Sequence, residues 1–204
     1  MERKEKEFLT LQELQAIQDY YTGIERLRIV KDLFVFSCYT GISYCDLMEL
    51  GEDNLILGID GKHWISTKRL KTKNSFKLPL GPALSIIKRY QYHPKKRPEK
   101  LFPSISNQKL NSYLKELADG CKIKKNITFH MARHTFATTI TLSNGAPIET
   151  VLKILGHTKL TTTQIYARVL DRKISEDMDG LDTILDKKMS ETKIVKERIG
   201  NLDH

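Results

Sequence analysis

His130-Met131-Ala132-Arg133, Gly156-His157 and Tyr166 put an imidazole, a guanidinium, a second imidazole and a phenol within 37 residues. Together these groups could attack a phosphodiester without a metal. A phenol of ordinary pKa, near ~10, needs neighbouring cations or a base before it attacks at neutral pH. Tyr166 is the candidate nucleophile. Arg133 can grip two non-bridging phosphate oxygens at once, and a fixed guanidinium helps most as negative charge grows on pentavalent phosphorus. His130 lies three residues earlier on the same face of a predicted helix and is suited to accept the phenol proton or donate to an oxygen. His157, after a helix-ending glycine, could hydrogen-bond another phosphate oxygen. The departing 5′ oxygen needs an acid, and Lys71 in the turn-proximal part of a predicted hairpin is the candidate. Arg69, two residues before it, is expected on the same strand face.

His130 and His134 stand four apart, as in zinc metalloproteases, but Met131 occupies the position where that chemistry needs a glutamate. No metal and no other cofactor is expected, and His134 is read as a buried hydrogen-bonding residue. Cys38, Cys45 and Cys121 form no C-x-x-C pair, which points to reduced thiols and no zinc site.

These groups need a scaffold, and the pattern supplies a mainly α domain with a small three-stranded antiparallel sheet. Thr10-x-x-Glu13 is a capping box ahead of Leu11, Leu14, Ile17 and Tyr21, spaced as one helix face. A second helix, from about Ile24 to Tyr39, is too apolar for a surface position and is placed centrally; Gly41 ends it. Ser43-x-x-Asp46 opens a short helix through Leu50. Leu55-Ile56-Leu57 reads as a strand, Asp60-Gly61 as a turn and His63 to Leu70 as the return strand. Phe76, Leu78 and Leu80 make a third strand after a turn at 73–75. Pro82 opens a helix to about Tyr92, and residues 93–100 form a basic loop. Ser106 caps a helix ending at Gly120, and Thr128 caps the one carrying His130 and Arg133. Pro147 begins a short helix ended by Gly156, and Thr161 begins the one carrying Tyr166. Beyond Asp171, Ile174, Met178, Leu181, Ile184 and Leu185 recur at helical spacing.

The 204 residues carry a net charge of +9, which favours an anionic partner. The charge is uneven. Residues 171–204 hold seven Lys/Arg against nine Asp/Glu, a net of −2, which leaves +11 on residues 1–170. Lys68, Lys73, Lys95, Lys96 and Arg97 are the candidate DNA phosphate contacts, which would position a duplex without reading bases. There is no apolar run of membrane-spanning length and no leader-like segment behind the charged N-terminus. A cytoplasmic bacterial protein, nucleoid-associated when bound to DNA, is expected.

The run Thr128-Phe-His130-Met-Ala-Arg133-His134-Thr-Phe-Ala, then Leu155-Gly156-His157, then Thr163-Gln-Ile-Tyr166, strongly resembles the tyrosine recombinases, the phage-type integrases. Tyr39-Thr40-Gly41-Ile42 and Arg69-Leu70-Lys71-Thr72 fit the same family in the same order, and the resemblance covers residues 8–185. It implies the recombinase catalytic-domain fold and DNA strand exchange through a 3′-phosphotyrosine on Tyr166. Arg133 and His130 would hold the phosphate, His157 would assist and Lys71 would be the acid.

Two features depart from that family. Its first arginine should follow Gly41-Ile42, where this chain has Ser43, a good N-cap but no cation; the acidic residue three further on is present as Asp46. Losing such a donor often costs ~10²–10³ in rate. Arg69 is the expected surrogate, with Lys31 the second choice, and the departure resembles integrases of conjugative and mobilisable elements. Family members also carry a DNA-binding domain ahead of the catalytic one. Here residues 1–9 read as a linker remnant, 10–170 as the catalytic domain and 171–204 as a tail helix with a flexible end. A fragment lacking the N-terminal half is expected, monomeric alone and assembling on double-stranded DNA into a tetrameric synapse, its tail docked in cis or on a neighbour. A catalytically impaired DNA-binding module and a type IB-like topoisomerase are the competing functions.

Overall fold

The Thr10 hydroxyl accepts the Glu13 N–H while Glu13 accepts the Thr10 N–H. This reciprocal cap starts α1 (Leu11–Asp19). The helix ends before Tyr21, which is exposed rather than part of the apolar face expected for it. The computed structural model describes residues 7–156, 174–175 and 178–189. The chain forms two compact units, Met1–Ile165 and Tyr166–His204.

In the first unit α2 (Glu25–Thr40) is the central element. Leu27, Val30, Leu33, Phe34 and Phe36 are buried around it, and α1, α5 (Asn107–Gly120) and α6 (Met131–Thr135) pack against it. Gly41 ends it at φ 65°, and a Cβ there would meet Phe136 Cδ1 at 2.6 Å. Both the left-handed backbone and the close approach therefore require glycine. Two residues on, Ser43 caps α3 (Tyr44–Glu49) by accepting the Asp46 N–H.

The sheet runs β1 (Leu55–Leu57), β2 (His63–Lys68), β3 (Ser75–Pro79), antiparallel throughout. Ile65 faces Leu78, and Thr67 faces Phe76, so alternate positions bury Ile65, Phe76 and Leu78. β2 is shorter than the sequence suggests. Arg69 N–H bonds to Asn74 O and Lys73 N–H to Arg69 O, so the chain leaves the ladder and turns, with Lys73 at φ 57°. Arg69 and Lys71 thus lie in a turn, and strand alternation is not what aims them.

After α4 (Leu84–Tyr90), Ser106 caps α5 as expected, accepting Lys109 N–H. The helix carrying Arg133 begins later than predicted. Thr128 contributes its carbonyl, not its hydroxyl, to Met131 N–H, and the same i→i+3 step repeats from Phe129 to Ala132 and from His130 to Arg133. The lead-in is a tight 3₁₀-like turn with His130 at the cap position. From Phe136 the same helix continues as a π-helix to Thr141. Thr135 and Thr139 clasp the buried Leu9 backbone on that side: Leu9 N–H donates to Thr135 Oγ1 at 3.0 Å, and the Thr139 hydroxyl donates to Leu9 O. Helix α7 (Ile148–Leu155) follows Pro147 and stops at Gly156, φ 68°.

In the second unit, residues 174–175 and 178–189 are helical, and Ile174, Met178, Leu181, Ile184 and Leu185 are exposed. Among the described residues no helix is long and apolar enough to cross a membrane.

Candidate active site

A cleft of about 400 Å³ opens where the N-terminus of α3, the β2–β3 turn, the start of α6 and the end of α7 meet. Ser43, Asp46, Arg69, Lys71, His130, Arg133 and Gly156 line it. The structure therefore brings together four of the six predicted catalytic residues, from segments up to 64 positions apart in sequence. His157 and Tyr166 lie outside the described residues; α7 delivers the chain to the cleft wall at Gly156, directly before His157.

Arg133 is half-buried, and two carbonyls orient it. Its Nη1 donates to Gly41 O at 2.6 Å and its Nη2 to Leu155 O at 2.8 Å. Those oxygens sit at the ends of α2 and α7, where helix geometry leaves carbonyls without intrahelical partners. Capping them fixes the guanidinium in the cleft wall and ties three segments of the site together. His130 is exposed at the cleft, its ring edge-on to buried His134 with centroids 4.8 Å apart.

Asp46 is the hub of the opposite wall. It is buried; its Oδ2 accepts the Ser43 hydroxyl at 2.7 Å and Arg69 Nη1 at 3.3 Å, and its Oδ1 accepts the Leu70 N–H at 2.9 Å. One carboxylate thus anchors the base of the turn that carries Lys71. Arg69 is itself buried. It also donates to Ile154 O, lies 4.6 Å over the Phe76 ring and packs so closely beneath Gly156 that a Cβ there would sit 2.9 Å from its Cδ. Burial pulls this guanidinium below its ordinary value, and Asp46 opposes that shift. Ser43 and Arg69 share one carboxylate oxygen, so a guanidinium reaches the neighbourhood of the residue that lacks one.

Lys31 does not. Its ammonium donates to Gln18 O at 3.1 Å and Tyr20 O at 2.9 Å, capping the end of α1, and it lines a separate cavity with Glu25, Asp32 and Arg89. The cations of the 93–100 loop have partners within the fold. Lys95 pairs with Glu25, Lys96 with Glu52 at 2.6 Å and Lys100 with Glu49 at 2.6 Å, while Arg97 donates to Met48 O at 2.9 Å. These cations staple the loop to α2, α3 and the segment after α3. Lys68, Lys71 and Lys73 are exposed, and among the described residues no ion pair holds them.

Sequence reasoning missed Tyr44, Cys45, Asn107 and Asn111, which also line the cleft. One signal was available. Asn111 stands inside a helix, where asparagine is a poor choice unless its side chain has a partner.

Residues 7–173 match the model of the Phage integrase family. The chain belongs to that family. The tyrosine recombinase XerD of Listeria monocytogenes serovar 1/2a is 32% identical over 150 residues, covering 67% of this chain and 49% of its own length. The XerH site-specific recombinase, in a post-cleavage complex with palindromic difH substrate, shares the fold at a TM-score of 0.66 and 21% identity, over 86% of this chain and 53% of that one. A lambda integrase fragment, a dimer bound to a COC′ core site, gives 0.62 at 16% identity over 81% of this chain and 60% of that one. The chain thus spans about half the length of the XerD and XerH relatives it matches.

Proposed function

We propose that this chain is the catalytic domain of a site-specific DNA recombinase that cuts and rejoins strands through Tyr166. The phenol oxygen attacks the scissile phosphorus as its proton passes to His130, the bond to the 5′ oxygen breaks, and Lys71 protonates that leaving group. The product is a 3′-phosphotyrosine, and attack by a 5′ hydroxyl from another strand reverses the steps. Arg133 and His157 neutralise the charge that builds on the non-bridging oxygens. The observation that carries this reading is the single cleft holding Arg133, His130 and Lys71 at its walls.

In this reading Arg69 is the second cation. Its support is the carboxylate oxygen it shares with Ser43 and its place in the cleft lining. Ser43 also supports a place among integrases of conjugative and mobilisable elements, and it favours one rival, a DNA-binding module with impaired chemistry. Double-stranded DNA is the partner, bound in the cytoplasm with Lys68 and Lys73 on phosphates and a further domain gripping the opposite face of the duplex. The stripe Ile174, Met178, Leu181, Ile184 and Leu185, exposed within its own unit, docks either in cis or on a neighbouring protomer of a tetrameric synapse.

A duplex nicked just beyond the scissile phosphate tests the chemistry, because loss of the short strand traps the intermediate. A covalent protein–DNA adduct that disappears in Tyr166→Phe is the expected result. Binding without an adduct leaves the impaired module, and relaxation of supercoils without recombination leaves a topoisomerase.

A further inference from the structure

We infer that Asn111 is a positioning residue for the catalytic turn, holding His130 and Arg133 at the angle from which they meet a DNA phosphate; this rests on the recombinase reading above. Its Oδ1 accepts the Phe129 N–H at 2.7 Å, across 18 residues and from a different helix. Its Nδ2 donates to Asn107 O at 2.9 Å and to Asn107 Oδ1 at 3.0 Å. The orientation of the amide follows from chemistry. An N–H can only donate and a backbone carbonyl can only accept, so oxygen must face Phe129 and nitrogen must face Asn107.

Phe129 is the hinge between that bond and the site. Its ring is buried, edge-on to Phe34 and Tyr44 with centroids 6.3 and 6.1 Å away, and Tyr44 is itself held by its hydroxyl to Ile105 O at 2.7 Å. Its carbonyl accepts Ala132 N–H at 3.2 Å, so the residue bonds to Asn111 on one side and to the helix of Arg133 on the other. The 3₁₀-like turn pairs the N–H groups of Met131, Ala132 and Arg133 with carbonyls three residues earlier, whereas the Phe129 N–H, one residue before His130, takes its acceptor from α5. A side chain buried only for packing would need no amide, and a solvent-facing helix residue would not be drawn to a backbone N–H this far along the chain.

The test has three readouts: amide exchange of Phe129 by NMR without DNA, DNA affinity, and the single-turnover rate of adduct formation at saturating nicked duplex. Asn111→Ala should abolish Phe129 protection and slow the saturated rate by roughly 10- to 100-fold, the scale of a small misplacement of catalytic groups, with affinity within about twofold. Asn111→Asp keeps the acceptor. It should retain protection and recover most of the rate, its added charge showing as weaker DNA binding. Gln108→Ala, exposed on α5 and outside the cleft lining, leaves the bond to Phe129 and should stay near wild type in all three. If Asn111→Ala does not fold, Asn111→Ser shortens the acceptor with less loss of volume and takes its place. Lost protection with an unchanged rate overturns the inference, as does an Asn111→Asp that keeps protection but reacts as slowly as Asn111→Ala. A wild-type chain that forms no adduct defeats the recombinase reading itself, whatever the variants do.

Discussion

Two segments of this protein read alike and behave differently. The turn at 68–74 and the loop at 93–100 are both rich in lysine and arginine. In the loop, Lys95, Lys96 and Lys100 meet Glu25, Glu52 and Glu49, and Arg97 meets a backbone carbonyl. In the turn, Lys68, Lys71 and Lys73 stand exposed beside the cleft, and only Arg69 folds inward, onto Asp46. Positive charge in a sequence therefore states capacity, whereas availability to a phosphate depends on which acidic residues the fold carries to it. The loop uses its charge to hold the chain together. Among the described residues, no ion pair holds the lysines of the turn.

The largest effect that could break this contrast is at Lys71. Removing a positioned acid costs ~10²–10⁴ in rate, so Lys71→Ala should nearly abolish adduct formation while leaving DNA affinity close to wild type. A substrate with sulfur in place of the 5′ bridging oxygen should restore the rate, because a thiolate leaves without a proton. No rescue would mean that Lys71 is not the acid.

Arg69→Ala comes next and should act twice. Cleavage should fall by ~10²–10³ if the guanidinium is the second cation at the phosphate. Thermal stability should fall as well, because a buried pair loses one partner and strands Asp46. A melting curve separates the two: lower stability with unchanged cleavage at a permissive temperature would make Arg69 an anchor of the turn alone.

Salt dependence sharpens the comparison further. Lys68→Ala with Lys73→Ala should weaken DNA binding and reduce the slope of log affinity against log salt by roughly 0.9 for each phosphate no longer neutralised. Lys95→Ala with Lys96→Ala should leave that slope unchanged and lower stability only slightly, because ion pairs at the surface contribute little. Equal slopes for the two double variants would erase the distinction.

The smallest effect is in acid. Burial opposes ionisation of Glu13, but Lys125 and the Thr10 cap outweigh it and hold the carboxyl below its ordinary value. A carboxylate whose folded pKa is depressed contributes stability above its unfolded pKa and loses it as pH falls through the folded one. Denaturation from about pH 6 down to about pH 3 should therefore show a loss of stability that Glu13→Gln flattens. An unchanged pH profile in the variant would remove Glu13 from the account.

Much of the scaffold was legible in the residues. Thr10, Ser43 and Ser106 open helices, Gly41 and Gly156 close them, and the apolar run of 24–39 became the buried central helix. Thr128 misled because a threonine before a helix usually caps with its hydroxyl, whereas here a 3₁₀-like turn used its carbonyl. The site was legible as a set of residue types: His130, Arg133 and Lys71 were each singled out, and each lines the cleft. Its wiring was not. Arg69 finds Asp46 across 23 residues and Ile154 across 85, Lys31 turns away to the end of α1, and Asn111 reaches Phe129.

By itself the sequence determined where helices and strands begin and stop and which groups could do phosphoryl chemistry, because caps, turns and periodicity are decided among residues a few positions apart. Only the tertiary structure decided which cations face the cleft and which are consumed in ion pairs. A long charged side chain takes whichever partner packing brings within about 3–4 Å, and that partner is set by contacts between segments far apart along the chain.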